Sequence, residues 1–262
     1  MCFEWRNSGD PMPVRRFGGR TRPQTQIGGA GKSSCSVAFL KRWLCYSGAV
    51  ATDLLEIDPL QPSEAAIDRA AMAIRRGKVV AIPTDALYTL VADPFSLHAV
   101  RQVYLAKGRH LARSLPLLVR DAMMVEDLAR DISVRFKLLT RKFWPGALTI
   151  IVPAAANIPL KVTGDTGRLA VRHASSVVVD QLLARIGQPL VSTSANISGM
   201  PTCKSGIDVF GTMDGRVDLV LDGGLCVGTG ASTVDITEPE WKMIKEGAIS
   251  YGEIADCLAG AE

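Results

Sequence analysis

From Asp58 onward, stretches with a helical apolar period alternate with short, wholly apolar runs, which predicts helices interleaved with buried strands. The first helix opens after Ser63, a hydroxylic N-cap, sets Ile67, Ala70, Ala71 and Ile74 on one face and stops at Gly77. A strand over 79–82 is closed by Pro83, which has no N–H to give a sheet ladder. The pattern then predicts a helix over 97–106, a strand over 117–119, helices over 125–130 and 134–143, and a strand over 148–152. Strands follow over 169–171 and 190–192, on either side of a helix with Val179, Leu182, Leu183 and Ile186 as its apolar stripe. Strands over 217–221, 233–236 and 241–244 and a helix over 251–258 complete the chain. Alternation with strand-rich returns late in the chain predicts an α/β fold on a twisted, open mixed sheet with flanking helices.

Residues 1–55 break this pattern. They are rich in Gly, Arg, Ser and Pro and are expected to form a disordered or leader-like basic tail ahead of one domain over 56–262. Residues 1–50 carry eight of the 30 Lys and Arg against Glu4 and Asp10, so the net charge of +4 belongs to the tail and the remainder is slightly acidic. Bulk electrostatics therefore give the body little hold on a nucleic-acid backbone. An Arg-rich, acid-poor leader reads as an organelle transit peptide or as a misassigned start; without targeting, the chain is expected to be cytoplasmic. Gly31-Lys32-Ser33 has the end of a phosphate-binding loop, but Gln26 stands where that motif needs Gly. No run of about eighteen apolar residues predicts a membrane span. The six cysteines and three histidines show no zinc spacing, so free thiols and no protein-held metal are expected.

Candidate chemistry gathers at predicted strand ends. Ser192-Thr193-Ser194-Ala195-Asn196 leaves the apolar Pro189-Leu190-Val191, and reads either as a capped turn or as the polar wall of a ligand site. Thr84 leaves its strand in the same way, as a turn former or a ligand donor. Lys107-Gly108-Arg109 closes an apolar helix, where cations suit the macrodipole and also suit a polyphosphate. Arg172 ends a strand as a surface cation or a carboxylate clamp. Gly223-Gly224, Gly228 and Gly230 form a flexible loop running into Ser232-Thr233.

Taken in order, Gly77 to Asp85, Lys107-Gly108-Arg109, Trp144-Pro145-Gly146-Ala147-Leu148-Thr149, Ala170-Val171-Arg172, the serine run and Gly230-Ala231-Ser232-Thr233-Val234 resemble the threonylcarbamoyl-adenylate synthases, the Sua5/YrdC/TsaC group. The resemblance covers roughly three quarters of the chain. It implies a YrdC-like sheet and an enzyme that joins L-threonine, bicarbonate and ATP, with Mg²⁺ on the ATP, into threonylcarbamoyl-AMP and pyrophosphate. A downstream tRNA-modifying machinery is the implied recipient of the product. Lys107 and Arg109 are then expected to be the catalytic phosphate ligands, joined at ATP by Ser194, Asn196 and Lys245, while Thr84, Arg172, Ser192 and Ser232 line the threonine and carbamate pocket. The alternative is a non-catalytic RNA-binding or ribosome-associated factor of the same fold.

Three departures from the family pattern stand out. Ala86 replaces a Thr and Thr89 a Gly, expected to remove a hydroxyl near the amino acid and to stiffen a turn. Lys245 stands where the family commonly has Arg, which turns a bidentate contact into a point charge.

Overall fold

Pairing of ten short strands into one mixed sheet organises the computed structural model, which describes residues 51–109 and 113–260. The tail over 1–50, Gly31-Lys32-Ser33 and His110 lie outside the described residues.

The strands are β1 (Asp53–Glu56), β2 (Val80–Ile82), β3 (Thr89–Ala92), β4 (Leu117–Leu118), β5 (Leu148–Pro153), β6 (Arg168–Arg172), β7 (Leu190–Ser194), β8 (Leu219–Asp222), β9 (Ser232–Asp235) and β10 (Lys242–Lys245). They lie side by side in the order β1-β8-β2-β3-β7-β4-β6-β5-β9-β10. β1–β8, β8–β2, β4–β6 and β5–β9 are parallel, and the other neighbours are antiparallel. β1 begins three residues before the expected domain boundary at 56.

The helices are α1 (Glu64–Arg75), α2 (Leu97–Lys107), α3 (Val134–Phe143), α4 (Leu160–Thr163), α5 (Val177–Ile186), α6 (Gly206–Met213) and α7 (Tyr251–Leu258). Ser63, Ser96, Ser133, Ser176, Ser205 and Ser250 each accept a backbone N–H at an N-terminus, the capping that the chain's hydroxyl placement provides. α1 and α5 cover one sheet face, with Ile67, Ile74, Val179 and Leu182 packed on Val80, Ile82, Leu118 and Leu190. The other face packs Val103 of α2, Leu139 of α3, Met213 of α6 and Ile254 of α7 against Ala81, Ile150 and Val191. Each fully buried Val, Leu, Ile or Met side chain among these contributes roughly 1.5–3 kcal/mol.

The predicted helix over 125–130 is a single 3-10 turn, Met123–Val125. Its backbone is committed elsewhere: Arg130 N–H donates to Pro153 O at 2.9 Å, and Leu128 O accepts from Ala155 N–H at 2.9 Å. These bonds to the end of β5 compete with helix propagation. The periodicity did not mark β3, α4 or α6, although Ser205 and Asp208 form a capping box at the start of α6.

Candidate functional site

The face covered by α1 and α5 runs out of helix partway across the sheet, and there it turns polar. On β7, Leu190 packs beneath these helices, while Ser192 and Ser194 continue the same side at two-residue spacing. Val191 and Ala195 belong to the opposite core. Ser192 and Ser194 are therefore the uncovered continuation of a core stripe, and the run leaves the strand in a bend at Ala195-Asn196.

Strand register brings the remaining wall together. Thr89 pairs with Ser194, Leu118 with Arg172, Ala170 with Ile151, and Thr149 with Thr233. Partners in register share a face, so the ends of β3, β7, β6, β5 and β9 line one concavity of about 410 Å³. Arg109, Arg172 and Lys245 lie on its wall, and among the described residues no Asp or Glu does. Three cations without a lining carboxylate favour an anionic guest.

Lys107 and Arg109 diverge because Gly108 caps α2 in the left-handed region, at φ 57°. The Lys107 ammonium turns inward and is 3% exposed. It donates to Ser194 O (2.6 Å), Asn196 Oδ1 (2.7 Å) and Asn196 O (3.0 Å), with Ser194 Oγ at 3.2 Å. Burial and then the positive charge of Arg109 lower its pKa to about 8. Arg109 faces the cavity and donates through Nη2 to Ser114 O at 3.4 Å. Its Nε is buried with no hydrogen-bond partner among the described residues. A guanidinium N–H with no partner among the described residues, on the wall of a basic cavity, suits an anionic guest. Lys107 and Asn196 stand behind the wall, with Ser194 between them and the space.

Arg172, 8% exposed, is pinned from two sides: Nη2 donates to Asp85 Oδ1 at 2.6 Å and Nε to Gly146 O at 3.0 Å. Burial works against its charged form, and the Asp85 carboxylate works for it. Nη1 is the remaining nitrogen of a guanidinium whose plane is fixed.

Two expected pocket residues face elsewhere. Thr84 Oγ1 donates to Leu87 O at 2.7 Å and accepts from Ala86 and Leu87 N–H, so it shapes its own turn and positions Asp85. Ser232 is fully buried: Oγ donates to Ile249 O (2.6 Å) and accepts from Gly247 N–H (2.9 Å) and Ile249 N–H (3.0 Å). It clasps the segment after β10, and its neighbour Thr233 faces the cavity instead. Ser232→Ala orphans three backbone groups and is expected to cost about 2–4 kcal/mol; a urea midpoint unchanged from the parent would contradict that role. Thr89 is also corrected. It opens the extended strand β3 and adds a hydroxyl to the wall, where a stiffened turn was expected.

The glycine loop has a steric reason. A Cβ on Gly228 would fall 2.6 Å from Ala86 Cα, so the loop lies directly on the turn that carries Asp85 and leads Gly230 and Ala231 to the cavity.

The Sua5_yciO_yrdC family model, described as "Telomere recombination", matches residues 72–247. The chain belongs to the Sua5/YciO/YrdC family. It is 32% identical over 186 residues to the threonylcarbamoyl-AMP synthase of Pyrococcus abyssi, covering 71% of this chain and 55% of that protein. A putative threonylcarbamoyl-AMP synthase of Mycobacterium leprae is 32% identical over 73% of this chain and 87% of its own length. The structure of P. abyssi Sua5 complexed with L-threonine superposes with a TM-score of 0.76 at 30% identity, covering 80% of this chain and 62% of that one. E. coli YciO shares the fold, with a TM-score of 0.72 at 22% identity over 78% of this chain and 99% of that one. The chain spans 55% and 58% of the lengths of the P. abyssi and Bacillus subtilis synthases.

Within this Sua5/YciO/YrdC domain, Ser192, Ser194, Arg109, Arg172 and Lys245 meet around one space. Asp85, Thr149 and Thr233 lie in the motifs quoted above but carried no expected site role. The signal for the two threonines was present as strand phase, since Thr149 and Ile151 alternate with Leu148 and Ile150 of the opposite core.

Proposed function

We propose that the chain makes threonylcarbamoyl-AMP and pyrophosphate from L-threonine, bicarbonate and ATP, as a supplier to tRNA adenosine modification. The observation that carries this reading is one cavity with two kinds of cation site: Arg172 held rigidly by Asp85 and Gly146, and Arg109, whose Nε has no partner among the described residues. A fixed guanidinium suits a carboxylate, and a second, separate cation suits phosphate. The chain's likeness to a Sua5 complexed with L-threonine supports L-threonine as a ligand, and the fixed guanidinium of Arg172 is the carboxylate site offered to it.

The chemistry asks little of side-chain nucleophiles. The neutral threonine amine takes up the carbon of bicarbonate as a carbamate with loss of water, and the carbamate oxygen attacks the α-phosphorus of ATP with pyrophosphate leaving. Arg172 orients the amino acid, Ser192 and Ser194 furnish hydroxyls along the path, and Arg109 and Lys245 offset charge on the phosphates. Lys107 acts through Ser194 and Asn196, holding the β7 end in place and adding positive potential behind it. We place Mg²⁺ on the ATP phosphates, as part of the substrate: the cavity offers cations and hydroxyls, and no carboxylate of the described residues lines it to hold a resident ion. The product would pass to the tRNA threonylcarbamoyl-transfer machinery in the cytoplasm.

The test is pyrophosphate release by the purified full chain with MgATP. Release that requires both L-threonine and bicarbonate supports the reading. Release indifferent to threonine, or none, overturns it.

A further inference from the structure

Several hydroxyls on the cavity wall, that of Thr149 among them, are not consumed by the fold. Thr84, Ser194 and Ser232 spend theirs on internal hydrogen bonds, whereas Thr149 and Thr233 make no side-chain hydrogen bond among the described residues. Thr149 is nevertheless only 7% exposed. A hydroxyl on a cavity wall with no protein partner is free to meet a ligand.

Register shows what surrounds it. On the β5–β6 ladder, Ile151 pairs with Ala170 and Ile150 with Val171, so the next step sets Thr149 beside Arg172. Opposed residues of antiparallel strands hold their Cβ atoms about 5 Å apart, with side chains on one face. The four residues form a block, with a cation and a hydroxyl in one row and two apolar side chains, Ala170 and Ile151, in the next. Thr233 lies behind Thr149 on β9.

We infer that Thr149 reads the side chain of the amino acid whose carboxylate Arg172 holds, with Ile151 and Ala170 receiving its methyl group, so that the block selects a β-hydroxy, β-methyl amino acid. The inference rests on the proposed placement of the amino acid at Arg172. The carboxylate, hydroxyl and methyl of L-threonine radiate from two adjacent carbons, and the block presents a cation, a hydroxyl and an apolar patch on adjacent strand positions. L-Valine matches its shape but leaves the Thr149 hydroxyl unpartnered, and L-serine leaves the apolar pair unfilled. Loss of the hydroxyl contact is expected to weaken binding roughly tenfold, and loss of the methyl about fourfold.

Thr149→Val preserves shape and removes only the hydroxyl, so calorimetric titration of the full chain with L-threonine, L-serine and L-valine is the test. The parent should prefer threonine over both analogues, and Thr149→Val should bring threonine and valine to similar affinity while ATP binding and the melting midpoint hold. A threonine-to-valine ratio that survives in Thr149→Val overturns the inference, as does a parent that binds the two alike. Failure of pyrophosphate release with the ratios as expected removes the proposed reaction and leaves the inference standing. Release with unaltered ratios does the reverse.

Discussion

Arg172→Ala should weaken L-threonine binding by roughly 100-fold or more while ATP binding stays within about twofold. A charge-assisted contact to a carboxylate in a part-buried site is worth about 1.5–3 kcal/mol, and the substitution also releases Asp85 from its 2.6 Å ion pair, leaving a half-buried negative charge beside the incoming carboxylate. The two effects act in the same direction, so the loss should exceed that of a single hydrogen bond. Arg172→Lys keeps the charge but not the two-point hold on Asp85 and Gly146, and should fall between the parent and the alanine variant. Titration with each ligand separately checks this. Equal losses for threonine and ATP would show that Arg172 supports the whole cavity and not one end of it.

Lys107→Met should be the second large effect, with a different signature. The ammonium is the shared donor for Ser194 O, Asn196 O and Asn196 Oδ1, and a thioether leaves those oxygens without it. A loss of about 2 kcal/mol in stability is expected, with ATP affinity and turnover falling together as the β7 end loosens. The parent should also carry a pH signature. A lysine pKa lowered to about 8 means the ammonium is half discharged near pH 8 in the folded chain, well below its unfolded value of 10.5. Between those two values the unfolded chain binds more protons, so the burial penalty on the charged form operates in full below pH 8 and fades as the pH rises toward 10.5. Anion binding has the opposite slope, because the charge that supports it is lost over the same range. ATP affinity of the parent should therefore decline from pH 7 to 9.5, and Lys107→Met should lack that decline. Parallel pH profiles for the two proteins would remove Lys107 from the phosphate field.

Much of this site was legible in the order of residues along the chain. The serine run, Arg109, Arg172 and Lys245 each sit where a strand or helix ends, and an element end is what periodicity locates best. What stayed hidden was orientation. Ser232 and Thr233 are adjacent and both hydroxylic, but a strand turns them to opposite faces, and only the pairing of Thr233 with Thr149 shows which one meets the cavity. Thr84 looked like a ligand donor because it leaves a buried strand, and its bonds to the 86–87 backbone make it a turn former. Lys107 and Arg109 read as one phosphate-binding pair. The left-handed Gly108 between them sends one inward to Asn196 and the other to the cavity wall. Asp85 carried no expected site role because its partner, Arg172, lies 87 residues away in the chain. The short strand β3 escaped for a related reason: four buried residues carry no period of their own, and their identity as a strand comes from β2 and β7 on either side.

The central claim is that one cavity joins an amino acid, a one-carbon unit and a nucleotide. Mass analysis of the nucleotide products formed from MgATP, L-threonine and ¹³C-bicarbonate tests it most directly. The expected product is an adenylate that carries both the threonine mass and the ¹³C label, formed in step with pyrophosphate. Unlabelled AMP, or ADP with inorganic phosphate and no threonine adduct, would contradict it.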